Sequence, residues 1–143
     1  MKKSLVEILA LLRSANPHER ALGHRFIGKT WCYAAAEHSI TALRDAHEDV
    51  RASAAWALDQ LGTPVAVPAL LEALHDSVFS VRSNAGWALV HLAQRMMAEL
   101  VVPDVIEVLS ESDSYEARHM AYLVLYHIGG ESAEDAIKRY WKH

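Results

Sequence analysis

Apolar residues recur along this chain at helical rather than strand spacing, and the helical pattern itself repeats. Leu5, Ile8, Leu9 and Leu12 form one stripe, and Val67, Leu70, Leu71 and Leu74 form another. Each has the spacing of a helix with one buried face. A longer string runs from Asp49 to Gly62, recurs from Ser80 to Ala93, and recurs again from Glu116 to Gly129. With the arginine of each copy as origin, position +3 is small (Ala54, Ala85, Ala121) and +7 is leucine (Leu58, Leu89, Leu125). Position +10 is Leu61, Leu92 or Ile128. A fainter first copy is found from its turn: Leu12-Arg13-Ser14 precedes Arg20 as Leu43-Arg44-Asp45 precedes Arg51 and Leu74-His75-Asp76 precedes Arg82. The arginines are therefore Arg20, Arg51, Arg82 and Arg118, with spacings of 31, 31 and 36.

Each period predicts two helices. Pro64 and Pro68 suit the first turn of the leading helix, where no backbone donor is needed. Asp45 and Asp76 end the turn between the helices, and Gly62 and Gly129 stand where a helix terminates with positive φ. The five extra residues before Arg118 are expected in two places. One is Gln94 to Leu100, as a one-turn extension of the preceding helix, and the other is the turn Ser110 to Ser114. Ser132 and Asp135 have the spacing of a capping box that opens a last helix through Ile137 and Tyr140. The resulting division is one domain of repeats at about 4–33, 34–63, 64–100 and 101–130, with a terminal helix over 131–143.

A helical wheel at about 100° per residue sorts the second helix into faces. Positions −1, +3, +4, +6, +7 and +10 fall in one apolar arc, the expected core. Position +5, at about 140°, lies nearly opposite. It holds Trp56 and Trp87, which would stand one helix spacing, ~10 Å, apart on adjacent repeats. The neighbouring phases add Ser83 and His119 at +1, Leu123 at +5, His91 and His127 at +9, and Phe79 and Tyr115 at −3. Aromatics beside small residues mark a recognition surface, because Trp and Tyr dominate interface hot spots. The alternative is that loops or the last helix cover the two tryptophans.

Composition narrows the function. Of 143 residues, 52% are hydrophobic and 22% charged, too apolar for disorder, and six Gly and four Pro are too few for an all-β chain. Fourteen basic against 18 acidic residues leave −4, so no surplus charge points to nucleic acid. The single Cys32 excludes an internal disulfide and reads as packing. The apolar start of the chain is broken by Glu7 and closed by Arg13, so neither a signal peptide nor a membrane span is expected. A cytoplasmic location is the default. Gly23-His24-Arg25-Phe26-Ile27-Gly28-Lys29-Thr30 satisfies G-x-x-x-x-G-K-[ST], but the preceding residues are helical and polar, not a strand, so nucleotide binding is not expected. Protonating all nine His would carry the charge from −4 to +5, making association pH-sensitive.

The Val-Arg-x-x-Ala-Ala-x-Ala-Leu-x-x-Leu-Gly string after Leu-x-Asp resembles a HEAT repeat of the short type found in phycobilin-lyase proteins, over about Ser4 to Gly129. The resemblance implies an all-α, right-handed α-solenoid of about four helical hairpins plus a C-terminal helix, with second helices lining a concave face. It also implies that Arg20, Arg51, Arg82 and Arg118, with Asp45, Asp76 and Asp49, form an Asp–Arg ladder between repeats. HEAT-type hydroxylases place His-Glu pairs directly after the repeat arginine to hold iron. Here those positions are Ala52-Ser53, Ser83-Asn84 and His119-Met120, so no metal or cofactor is expected. The reading is a non-enzymatic module binding a partner protein through Trp56, Trp87, Phe79, Ser83, His91, Tyr115, His119, Leu123 and His127. The alternative is a lyase-like or chaperone-like protein holding a bilin or other flat apolar ligand between Trp56 and Trp87.

Overall fold

A computed structural model describes residues 3–95 and 98–142, and all of its regular structure is helical. The first hairpin is α1 (Leu5–Leu12) and α2 (Pro17–Lys29). A 3-10 turn at Tyr33–Ala35 leads into α3 (Ala36–Ala42), which pairs with α4 (Glu48–Leu61). A second 3-10 turn, Pro64–Ala66, leads into α5 (Val67–Ala73), which pairs with α6 (Phe79–Arg95). Then come α7 (Ala98–Glu111), α8 (Tyr115–Ile128) and α9 (Glu131–Tyr140). The second helices stack in a row, α2 on α4 on α6 on α8, and each first helix packs against its own partner. The result is an all-α solenoid.

The apolar arc is the core. Val50, Ala54, Leu58, Val81, Ala85, Leu89, Ala117, Ala121 and Leu125 are all fully buried, so positions −1, +3 and +7 turn inward in repeat after repeat. Leu70, Leu74, Val105 and Leu109 meet them from the first helices. Local chemistry sets the helix ends. Ser4 and Glu7 form a capping box on α1, Asn16 caps α2 ahead of Pro17, and Ser114 accepts from the Ala117 amide to cap α8. Gly62 ends α4 with φ 62°. The same position, +11, is Trp31 after α2, and it too is left-handed, with φ 49°. A bulky residue there carries backbone strain that glycine would not.

Three sequence expectations change. The helix expected to open on a Ser132–Asp135 box instead starts at Glu131, with Gly130 at φ 93° as its N-cap and no side-chain cap. Glycine supplies the turn, and Ser132 lies already inside it. The five extra residues are not in the turn Ser110 to Ser114. Arg118 reaches the Ser112 carbonyl six residues back, the offset at which Arg51 reaches Asp45 and Arg82 reaches Asp76. The excess lies upstream of that turn, where α6 runs on to Arg95 and α7 is one long helix. Within the segment Gln94 to Leu100, Met96 and Met97 lie outside the described residues.

The ladder is also shorter than the pattern implied. Arg20 donates from Nε and Nη2 to both oxygens of Asp45, each at 3.0 Å, and Arg51 does the same to Asp76 at 2.8 and 3.2 Å. Burial would raise the Asp45 carboxyl, but the Arg20 hydrogen bond, the His47 amide and the Arg20 charge hold it below its ordinary value. Asp49 is no part of the ladder: its carboxylate sits 3.9 Å from His47 on the first turn of α4. Among the described residues no carboxylate pairs with Arg82 or Arg118, whose guanidinium groups lie over Phe79 and Tyr115 instead.

Candidate functional site

Where α6 and α8 pack together, residues of both helices build one hollow of about 200 Å³, floored by buried residues and rimmed by exposed ones. Helical periodicity brings its walls together. Phe79, Ser83, Gly86, Trp87 and Val90 come from α6, and Met120, Leu123, Val124 and His127 from α8. Gly86 makes the close approach: a Cβ there would stand 3.0 Å from the Met120 sulfur and 3.2 Å from Val124. Five of the nine sequence-predicted site residues therefore share one apolar cavity. Phe79 and Trp87 are exposed at its rim, by 61% and 43%, too much for either to be a core residue.

Two imidazoles frame the Trp87 indole. His91 stacks on it with ring centroids 5.7 Å apart, and His127 meets it edge-on at 4.7 Å. Both rings are oriented from behind. His91 Nδ1 lies 2.7 Å from the Asp59 carboxylate and His127 Nδ1 lies 2.8 Å from the Leu123 carbonyl, and an acceptor of either kind requires N–H at Nδ1. Nε2 of each ring takes no part in these bonds. Among the described residues no three His, Cys, Asp or Glu side chains converge as metal ligands.

Trp56 has the same helical phase but a different environment. Its indole lies over Gly28 of α2, where a Cβ would collide with Cζ3. It is half-buried and lines a separate hollow of about 310 Å³ with Arg25, Lys29, Asp49, Ala52, Ser53 and Asn84. The two tryptophans line separate hollows rather than one shared space. The wheel missed this because phase gives direction, whereas burial depends on what the neighbouring helix presents.

Tyr115 and His119 belong to a second aromatic group. They stack at 6.0 Å, and Trp141 lies 5.9 Å from Tyr115 and 5.7 Å from His119. Trp141 also stacks on Tyr122 at 4.8 Å with planes 9° apart, and Tyr126 continues the row at 6.2 Å. The repeat pattern does not single out Tyr122, Tyr126 or Trp141 as site residues. A signal existed: position +4 is Ala55 and Gly86 in repeats two and three, whereas +4 and +8 are both tyrosine in repeat four.

The phosphate-loop match resolves into packing. Gly23 to Lys29 is continuous helix within α2, so its amides bond within the helix and form no cradle. Gly23 admits Leu12, whose Cδ2 would lie 2.8 Å from a Cβ, and Gly28 admits Trp56. His24, between them, is buried with Nδ1 2.9 Å from Ser39 Oγ, and burial lowers its pKa to about 4.

Comparison with known proteins supports the architecture. A family model described as HEAT repeats matches residues 5–90. No curated protein sequence matches the chain. Among solved structures, the complex of CpcE and CpcF of phycocyanin lyase from Nostoc sp. PCC7120 is similar with a TM-score of 0.69 and 25% identity. That match covers 96% of this chain and 57% of the other. The Kap95:Nup1 complex gives 0.63 at 12% identity, over 94% of this chain and 20% of that one. In both, this chain spans less than two thirds of the relative's length. A designed armadillo repeat protein in complex with a (KR)4 peptide gives 0.60 at 18% identity, covering 95% and 70%.

Proposed function

The chain belongs to the HEAT-repeat family, and from that premise we propose that it is a non-enzymatic module that binds a partner protein on the concave face lined by its second helices. The observation that carries this reading is the hollow between α6 and α8, open beside an exposed Trp87. Exposed Trp and Phe at the mouth of an apolar cavity are what interface anchors use. Phe79, Ser83, Trp87, Leu123 and His127 wall that cavity, and His91 supports it from behind. Tyr115 and His119 extend the surface toward Trp141. Trp56 contributes at most its exposed edge. A cytoplasmic setting suits the proposal; among the described residues no helix is long and apolar enough to cross a membrane.

The second reading is a protein that holds a bilin-like ligand, favoured by the likeness to a phycocyanin lyase complex. Volume argues against it. Sites that enclose a drug-sized ligand measure roughly 300–1,000 Å³, and this cavity holds about 200 Å³. It fits one side chain, and a tetrapyrrole would lie across the exposed rings. The test is Trp87→Ala in co-purification of partners from cells expressing the tagged protein, with thermal stability measured on the same preparation. The variant should lose less than ~1.5 kcal/mol of stability, as surface residues do, and weaken capture by at least ~2 kcal/mol. Unchanged capture by a stable variant removes the cavity from the interface. A visible absorbance shift on adding a bilin, lost in Trp87→Ala, favours the second reading.

A further inference from the structure

Four turns of this chain share one backbone device, and in one of them the arginine one repeat back is left without its carboxylate among the described residues. The side chains of Ser14, Asp45, Asp76 and Ser112 each accept from the amide two residues on, at 2.9 to 3.1 Å. Each of these residues also offers its carbonyl to Nη1 of the arginine six residues on. Asp45 and Asp76 do more: their carboxylates take Nε and Nη2 of the arginine one repeat back. Ser112 stands where the third such carboxylate belongs. Arg82 keeps its Nη1 bond to the Asp76 carbonyl at 2.9 Å, while its Nε–Nη2 edge meets no carboxylate among the described residues. His75 Nε2 lies 2.9 Å from Ser112 Oγ. The result is a half-buried fork, fixed at one corner and shaped for a bidentate carboxylate.

The fork adjoins the apolar hollow. The Arg82 guanidinium lies 5.7 Å from the Phe79 ring centre, and Phe79 is a wall of the cavity beside Trp87. An extended chain advances ~3.3 Å per residue, so two residues cover that distance.

We propose that this end of the surface takes an extended partner segment whose Asp or Glu closes the fork of Arg82 while a bulky apolar side chain one or two residues away fills the Phe79–Trp87–Leu123 hollow. This rests on the partner-binding reading above and names the partner's chemistry. The cavity suits a single side chain, and the missing rung sets the charge. Because the whole chain carries −4, long-range repulsion opposes an acidic partner, and the preference is local to the fork.

The test titrates ¹⁵N-labelled full-length protein with the peptide acetyl-Gly-Ser-Asp-Ser-Leu-Gly-amide, following the Trp87 indole and Arg82 Nε–H resonances. Two control peptides carry Lys for Asp, or Ser for Leu. The parent peptide should shift both resonances, and each control should bind at least about fivefold more weakly, a modest share of a charge-assisted contact. The decisive variant is Ser112→Asp, which restores the residue type of the two preceding turns and closes the fork from within. It should melt no lower than the native protein. Its preference for Asp over Lys peptide should fall to within about twofold, with the Leu preference intact. Equal binding of Asp and Lys peptides to the native protein overturns the inference, as does a full acid preference surviving in Ser112→Asp. No binding of any peptide by about 5 mM also overturns it, since one such contact pair should exceed that threshold. Loss of acid preference with Leu dependence retained sinks this inference alone, whereas binding without Leu dependence sinks the cavity reading itself.

Discussion

Gly28 is the point at which the packing of the first two second helices is most exposed to test. An alanine there would place its Cβ against the Trp56 indole, 2.9 Å from Cε3 and nearer still to Cζ3, and 3.2 Å from the Ala57 Cα. Alanine suits a helix better than glycine by roughly 0.5–1 kcal/mol, so without the indole the exchange would be favourable or neutral. Overpacking costs about 1–3 kcal/mol, and the half-buried indole can yield only partly. Gly28→Ala should therefore destabilise the protein by about 1–2 kcal/mol. In a Trp56→Ala background only the Ala57 contact remains, and the same exchange should be near neutral. Urea unfolding of the four proteins, followed by circular dichroism, measures the coupling. It should reach about 1–2 kcal/mol, against the ~0.3–0.5 kcal/mol scatter of independent sites. Additive costs would show that the approach of α2 to the α4 backbone, not the indole, demands glycine. Trp56 would then be the free surface rung that its wheel position suggested.

Two further outcomes follow from single residues. Trp31 is 61% exposed and left-handed where Gly62 and Gly129 end other second helices. Relieving a strain of about 1–2 kcal/mol, Trp31→Gly should raise thermal stability, and a loss above ~1 kcal/mol would mean that indole contacts outweigh the strain. His24, with a folded pKa of about 4, stays neutral while the unfolded chain takes up a proton near 6.5. Its stabilising contribution is present above pH 6.5 and is lost as pH falls toward 4, by up to about 3 kcal/mol. His24→Gln should flatten the stability curve in that window, and an unchanged slope in urea titrations at pH 4.5 and 7 would place the acid sensitivity elsewhere.

Much of the architecture is legible in the sequence. Arginines 31 residues apart, with small and leucine positions in register, specify a helix pair that cannot bury its apolar face alone. Stacking is then the only way to dry Leu58, Leu89 and Leu125, all fully buried. The phase of Trp87, and the grouping of Phe79, Ser83, Leu123 and His127 around it, follow from the same periodicity. Periodicity is a local, one-helix property, and it stops there.

What separates Trp56 from Trp87 is a contact between helices. Each sits at +5, yet one lies on a glycine 28 residues back, and the other opens beside a glycine one position before it. The same holds for charge. The sequence shows four repeat arginines, but which of them finds a carboxylate depends on what the next turn places 3 Å away, and at Ser112 it places a hydroxyl. Trp141 joins Tyr115, His119 and Tyr122 only because α9 folds back over α7 and α8. The sequence by itself determined the repeat, the helix faces and the core, because those follow from spacing along one helix. Tertiary structure decided which aromatic is a wall and which a wedge, and which arginine is left with an open fork, because those depend on distances between helices.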